Sequence, residues 1–151
     1  CSEALEDTRT LSRLLRPPIL DDLGLEPALR ALARSLGESS GMQIDVDVGP
    51  LPELEGDVQT LLFRVAQEAL NNAAKHAQAS DVLLRLVATG GFLQLQVVDD
   101  GIGCDPSRML ASGGSGLGGM RERLRLYGGS LELHSAQGEG TRLRAIVPTG
   151  A

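Results

Sequence analysis

The sequence predicts an α+β fold, a two-layer sandwich in which helices cover one face of a mixed, mostly antiparallel sheet. Three observations lead there. Helical and alternating segments are interleaved in the order helix, strand, helix, hairpin, helix, hairpin. The strand-like segments alternate apolar and polar residues, so each buries one face only. Each helix carries a single apolar stripe, so it needs a partner layer. With 151 residues, the chain is long enough for one domain with a full core.

The elements follow in order. Ser2 to Arg16 carries Leu5, Leu11, Leu14 and Leu15 at near-helical spacing. Pro17-Pro18 ends that helix, because proline disfavours helical geometry in the residue before it. So short a stripe needs a partner helix, and the alternative is a frayed terminus. Ile19 to Gly24 is a linker-like turn. The chain thus divides into a terminal helix (1–18), a linker (19–24) and a globular domain (25–151). Leu25 to Leu36 is a helix with Pro27 in its first turn and Leu25, Leu29, Leu32 and Leu36 as its stripe, bracketed by Gly37 and Gly41. Met42 to Val48 alternates strictly and is a half-buried strand. Gly49 to Gly56 is a loop.

Asp57 to Ala77 is the longest helix, with Asp57 placed to cap it. Val58, Leu61, Leu62, Val65, Ala66, Ala69, Leu70, Ala73 and Ala77 make a broad apolar face. Val82 to Ala88 and Phe92 to Val98 form a hairpin about Gly90-Gly91. Asp99 to Gly119 is glycine-rich. Leu117 to Tyr127 is a helix with Met120, Leu124 and Tyr127 on one face, stopped by Gly128-Gly129. Ser130 to Ala136 and Thr141 to Val147 are strands about a Gln137–Gly140 turn.

Composition narrows the function. Aromatics are Phe63, Phe92 and Tyr127, with no Trp, which argues against single-stranded nucleic-acid binding by stacking. A net charge of −6 argues against a phosphate-backbone binder, so no nucleic-acid partner is expected. Cys1 and Cys104 have no metal-ligand spacing and form no disulfide framework; a reducing, cytoplasmic setting is the simpler reading. No run approaches the roughly 18 apolar residues of a membrane helix, and CSEALEDTRT is no signal peptide. The chain starts without Met and in mid-pattern, as expected of a piece of a longer protein.

Three stretches could carry chemistry. On the longest helix, Glu68, Asn72 and Lys75 lie within about a sixth of the circumference, at the edge of the buried face. A carboxylate, an amide and an ammonium there fit a metal and phosphate site, and equally a solvated helix edge. Lys75 is the only lysine, the rest of the 14 cationic residues being arginine. A compact ammonium suits phosphate as a point charge. Asp99-Asp100-Gly101-Ile102-Gly103 follows a strand directly. A carboxylate fixed by a glycine turn can accept a hydrogen bond from an exocyclic amine such as that of adenine; an ordinary strand exit reads the same way. Gly113 to Gly119 runs into a helix, where bare backbone N–H groups can hold an anion. It is neither a P-loop, lacking Gly-Lys-Ser/Thr, nor a Rossmann fingerprint. Gly138-Glu-Gly-Thr141 reads first as a hairpin turn. His76 abuts Lys75 at a helix end and His134 sits outward on a strand, so neither a nucleophilic triad nor a zinc site is apparent.

Taken together, QEALNNAAKHAQAS, DDGIGCDP, GLGGMRERLRLYGG and GEGTRLRAIVP resemble the catalytic, ATP-binding domain of sensor histidine kinases. More narrowly, they look like the nitrate/nitrite-sensor and lipid-desaturase-sensor subfamily of the gyrase and histidine-kinase ATPase superfamily. LLRPPILDDLGLEPALRALA looks like that subfamily's segment between the dimerisation helices and the catalytic domain. The resemblance implies a Bergerat-type ATP-binding fold over 25–151 and the tail of a dimerisation helix over 1–18. It implies ATP and Mg²⁺ as ligands, with Asn72 as metal ligand and Glu68 as the acidic residue assisting metal, water or proton handling. Lys75 and His76 are implied as phosphate contacts. Asp99 is the implied adenine reader, with Gly101 and Gly103 making room. Cys104 to Ser115 is the implied mobile lid, Gly116, Leu117 and Gly118 the implied phosphate-facing turn, and Thr141 an implied water-mediated adenine contact.

Two departures stand out. Asp100 occupies a position that is often Asn in the family, and no phospho-accepting histidine motif is present. The reaction implied is transfer of the ATP γ-phosphate to a histidine outside this chain. The implied partners are the parent's own dimerisation/phosphoacceptor domain and a response regulator, in a homodimeric parent that can be membrane-anchored with this domain facing the cytoplasm. The alternatives are a serine kinase of the anti-sigma-factor type and a non-catalytic, nucleotide-gated interaction module.

Overall fold

The computed structural model describes residues 24–74, 79–102, 117–135, 138 and 140–149. Helix α1 spans Leu25–Ser40, strand β1 Gln43–Val48, helix α2 Gly56–Asn72, strands β2 Asp81–Thr89 and β3 Phe92–Asp99, helix α3 Leu117–Leu126, and strands β4 Ser130–Ser135 and β5 Thr141–Pro148. The strands form one sheet in the order β1-β2-β3-β5-β4. The β1–β2 pair is parallel and the other pairs are antiparallel. The parallel pair is a consequence of α2, which lies between β1 and β2 in the chain and returns it to the sheet's starting edge. This is the two-layer α+β sandwich expected.

Register explains the core. Ile44, Val46 and Val48 stand beside Val82, Leu84 and Leu86. These stand beside Asp99, Val97 and Leu95, and these in turn beside Thr141, Leu143 and Ala145. Alternation therefore gives one continuous apolar face, which α1, α2 and α3 cover. Leu29, Leu62, Leu70, Leu84, Leu95 and Leu124 are fully buried, each contributing about 2 kcal/mol of burial free energy. On the opposite face Glu132 and Arg144, directly paired across β4 and β5, form an ion pair.

Element boundaries differ from expectation in instructive places. Helix α1 continues past Leu36 and Gly37 to Ser40, because Gly41 at φ 80° supplies the left-handed cap and its N–H bonds the Gly37 carbonyl. Asp57 does not cap α2. The helix begins at Gly56 with Glu55 at the cap position and no side-chain cap bond, and Asp57 sits in the first turn. Tyr127 leaves the buried face of α3: Met120 and Leu124 are buried, whereas Tyr127 lies in the turn after the helix, 40% exposed. His134 is exposed on β4, as alternation requires. The terminal helix, most of the linker, the lid and the final turn of the Asp57–Ala77 helix lie outside the described residues, as does the end of the strand expected to reach Ala136.

Candidate functional site

The topology brings the separate motifs to one end of the sandwich. Helix α2 leads towards the start of β2, so its C-terminal turn, with Glu68 and Asn72, lies at the sheet edge where β2 begins, β3 ends and β5 begins. Helix α3 runs the other way along β5, so its first turn, with Gly118, lies at the same edge. Glu68 and Asn72 are both half-buried beside the buried Val65 and Ala69. That is the boundary position their spacing predicts. Gly118 is buried in the first turn of α3, which Leu117 opens. Lys75, His76, Gly103 and Gly116 lie outside the described residues.

Asp99 is the last residue of β3, not part of the turn that follows. Alternation through Leu93, Leu95 and Val97 therefore continues onto it and points its carboxylate inward, where it is 9% exposed. Burial pushes its pKa up. The N–H groups of Gly101 and Thr141 oppose that shift, and the neighbouring charge of Asp100 adds to it. Gly101 donates its N–H to Oδ1 of Asp99 at 2.9 Å. Two backbone donors leave acceptor capacity on the carboxylate for a ligand amine.

Asp99 is held from two sides. On one side stands β5. Thr141 pairs with Asp99 in register, and its hydroxyl lies 2.9 Å from that of Ser135 on β4. Ser135 also donates to the Gly140 carbonyl at 3.0 Å. Gly140 is buried at φ 77°, and a Cβ there would sit 2.2 Å from the Asp99 carbonyl oxygen. Only glycine permits that approach. Gly138 donates its N–H to the Ile102 carbonyl at 2.5 Å, tying the β4–β5 turn to the turn after Asp99. On the other side Asp100 accepts the N–H groups of Ser80 and Asp81 at 2.8 and 3.0 Å, and returns its own N–H to the Asp81 carbonyl at 3.2 Å. These bonds, Asp81 first, hold the Asp100 carboxyl below the usual carboxylate range.

Sequence reasoning missed Ser135. A serine closing an alternating strand gives no signal by itself, and its role emerges only when β4 pairs with β5. It also undervalued Gly140, which read as turn chemistry.

The arrangement is an open, oxygen-rich corner: a buried carboxylate on a strand end, a half-buried carboxylate and amide on a helix edge, and glycine at a helix start. Among the described residues no three His, Cys, Asp or Glu side chains gather as a metal cage. The oxygens of Glu68 and Asn72, one helical turn apart, fit a hard cation that keeps part of its shell for waters and phosphates.

Comparison with known proteins identifies the family and the fold. The chain is 40% identical to the sensor histidine kinase MctS of Rhizobium johnstonii, over 98% of this chain and 32% of that protein. It is 37% identical to the sensor histidine kinase ComP of Bacillus subtilis, over 92% of this chain and 18% of that protein. It therefore spans a third or less of these relatives. Full-length ShkA, solved in complex with AMPPNP, matches with a TM-score of 0.67 at 27% identity, over 83% of this chain and 30% of that one. The histidine kinase domain of the Erythrobacter litoralis EL346 blue-light activated kinase shares the fold, with a TM-score of 0.66 at 21% identity over 80% of this chain and 59% of that one. Residues 57–151 match the family described as histidine kinase-, DNA gyrase B- and HSP90-like ATPases, and the chain belongs to that family as an ATP-binding catalytic domain of the sensor histidine kinase kind.

Proposed function

We propose that this domain binds Mg²⁺-ATP at the corner described and transfers the γ-phosphate to a histidine on the dimerisation domain of its parent protein. The observation that carries the reading is Asp99, a carboxylate buried at a strand end with backbone donors on one side and spare acceptor capacity on the other. A buried charge is costly unless something uses it. An exocyclic adenine amine is a donor that fits. Gly101 leaves the base room, as Gly103 is proposed to do, and Thr141 contacts the base through water.

At the other end of the site, Asn72 and Glu68 would hold Mg²⁺. When bound, the ion supplies charge neutralisation on the phosphates. Lys75 and His76 are proposed as phosphate contacts, and Gly116, Leu117 and Gly118 as a turn whose N–H groups face the phosphates. Phosphoryl transfer asks little covalent chemistry of the protein; positioning and electrostatic stabilisation supply the catalysis. Glu68 and Lys75 are the groups proposed to act there, Lys75 as a charge and Glu68 through the water or metal it orients.

The domain boundaries follow this reading: residues 1–18 belong to a dimerisation helix, 19–24 link it, and 25–151 bind ATP. A response regulator is the proposed onward partner of a homodimeric parent that works in the cytoplasm or at the inner membrane's cytoplasmic side. No helix among the described residues is long and apolar enough to cross a membrane.

The test is calorimetric titration of the chain with ATP or ADP, with and without Mg²⁺. The reading requires Mg²⁺-dependent binding that Asp99→Asn abolishes. An absence of adenine-nucleotide binding by the folded chain overturns it. Labelled ATP supplied with a dimerisation domain then distinguishes the acceptor, since histidine phosphate is acid-labile and serine phosphate is not.

A further inference from the structure

The inner face of the sheet ends in a polar row. In register, Asp99 on β3 stands beside Thr141 on β5, and Thr141 beside Ser135 on β4. The next row inward on the same face is apolar: Val97, Leu143 and Leu133. Residues directly opposite on neighbouring strands share a face, with Cβ atoms about 5 Å apart. The three polar side chains therefore form one continuous edge on the Asp99 side of the corner. Asp99 is buried, and Thr141 and Ser135 are half-buried.

A hydroxyl carries one proton, and that count fixes the direction of the bonds along the row. Ser135 donates to the Gly140 carbonyl at 3.0 Å, and a carbonyl only accepts. That carbonyl is itself fixed, because Gly140 is wedged against the Asp99 backbone at φ 77°. The Ser135 oxygen lies 2.9 Å from that of Thr141. With the Ser135 proton on Gly140, this contact is a hydrogen bond only if Thr141 is the donor. The strand order is β3-β5-β4, so the Thr141 proton points towards β4 and away from Asp99. Thr141 presents lone pairs to the Asp99 side. Asp99 has the same polarity, since an ionised carboxylate only accepts. The wall thus offers two acceptors side by side.

We propose that Ser135 is a specificity-determining residue: by holding the Thr141 hydroxyl as an acceptor, it makes this wall reject purines with a 6-oxo group in place of the 6-amino group. The inference rests on the adenine reading of Asp99 and says how that site refuses the rival base. A 6-amino group brings two N–H donors to two acceptors, one directly to Asp99 and one through water to Thr141. In the same pose a 6-oxo group brings lone pairs to lone pairs. A threonine hydroxyl free to turn would relieve that mismatch by donating to the oxo group or its water. Held by Ser135, it cannot turn without breaking its own bond. Sites that leave polar groups unpaired against the wrong ligand discriminate most strongly.

The test is calorimetric titration with ADP and with inosine diphosphate, whose hypoxanthine base carries the 6-oxo group. The readout is the ratio of the two dissociation constants, which a general loss of stability does not move. Ser135→Ala should lower the inosine-to-adenosine Kd ratio about ten-fold, the effect of one hydrogen bond. Ser135→Thr, which keeps a hydroxyl there, should retain the parent ratio. In a Thr141→Val background, with no hydroxyl to turn, Ser135→Ala should leave the ratio unchanged. An unchanged ratio in Ser135→Ala, the same drop in the Thr141→Val background, or loss of both nucleotides in Ser135→Ala overturns this proposal alone. No ADP binding by the parent overturns the adenine reading and this proposal with it.

Discussion

Replacing Asp99 by Asn should separate binding from stability. The side chain is buried at the end of β3, and Gly101 donates to its Oδ1 at 2.9 Å. An asparagine there keeps its single oxygen on Gly101 and turns its NH₂ to the ligand side. A proposed adenine amine then meets a donor where it met an acceptor. Losing a hydrogen bond to a charged group and leaving the amine unsatisfied costs about 3 kcal/mol, or about a hundred-fold in Kd.

Stability moves the other way. The folded-state pKa of Asp99 is raised, burial being the main cause. A raised carboxyl pKa means that the folded state prefers the protonated form. Its contribution to stability is therefore fully present below the unfolded pKa and lost as pH rises through the folded one. At neutral pH the ionised Asp99 burdens the fold, and Asn removes that burden. The nucleotide-free Asp99→Asn chain should therefore melt at the same temperature as the parent or higher, while ADP titration shows binding lost. In the parent, nucleotide affinity should fall as acid protonates Asp99. An Asn variant that binds ADP within a few-fold of the parent, or that melts well below it, would refute the reasoning.

Three further substitutions probe the supports of this residue and the other wall. Gly140→Ala places a methyl 2.2 Å from the Asp99 carbonyl at φ 77°, and should lower the urea midpoint by the equivalent of at least about 2 kcal/mol. Gly138→Ala, also at positive φ but with nothing within 4 Å, should cost only about 1 kcal/mol. Asp100→Ala leaves the N–H groups of Ser80 and Asp81 to water and should speed amide exchange at the start of β2, whereas Asp100→Asn, which keeps one oxygen, should spare it. The lowered pKa of Asp100 means its contribution to stability is present above the unfolded pKa and disappears as pH falls through the folded one. Chemical denaturation of the parent and Asp100→Asn as pH is lowered checks this. Asn72→Ala should weaken Mg²⁺-dependent nucleotide binding at least about ten-fold, with Asn71→Ala nearly neutral by calorimetry. The reverse order would mean that the wrong face of α2 has been assigned.

The sheet was legible because its strands bury one face. Period-two alternation in MQIDVDV, DVLLRLVAT, FLQLQVVD and TRLRAIVP gives burial patterns that match their pairing almost residue for residue. Alternation also contained more about the site than it first yielded. Carried one step beyond Val97 and Val98, it makes Asp99 an inward-facing strand residue. Helix ends were harder, because capping is decided by single backbone angles. Gly37 and Gly41 are alike in sequence, yet only Gly41 adopts positive φ. Asp57 is a good cap residue by type, but the helix starts one residue earlier and Asp57 lines the groove between α2 and α3 alongside Tyr127. That placement depends on α2 and α3 being neighbours, which no local pattern encodes.

The same limit explains which parts of the site stayed hidden. The groups most visible in sequence, Asp99 and Asn72, are those with an unusual side chain on a regular element. The groups that hold them act by backbone contact between distant segments. Gly140 matters because a carbonyl forty-one residues earlier leaves no space for a methyl, Ser135 because Thr141 lands beside it, and Asp100 because β2 begins next to it. Each ties a strand end to a neighbour. Together they fix the adenine-side wall on hydrogen-bonded sheet, while Glu68 and Asn72 ride half-buried at the edge of a helix whose buried face is apolar. Substitutions on the sheet side should therefore change fold and binding together, except at Asp99 itself, whereas those at Glu68 and Asn72 should change binding alone. A stability loss at Asn72→Ala comparable to that at Gly140→Ala would contradict this division, because a half-buried amide on a helix edge has too little packing to lose.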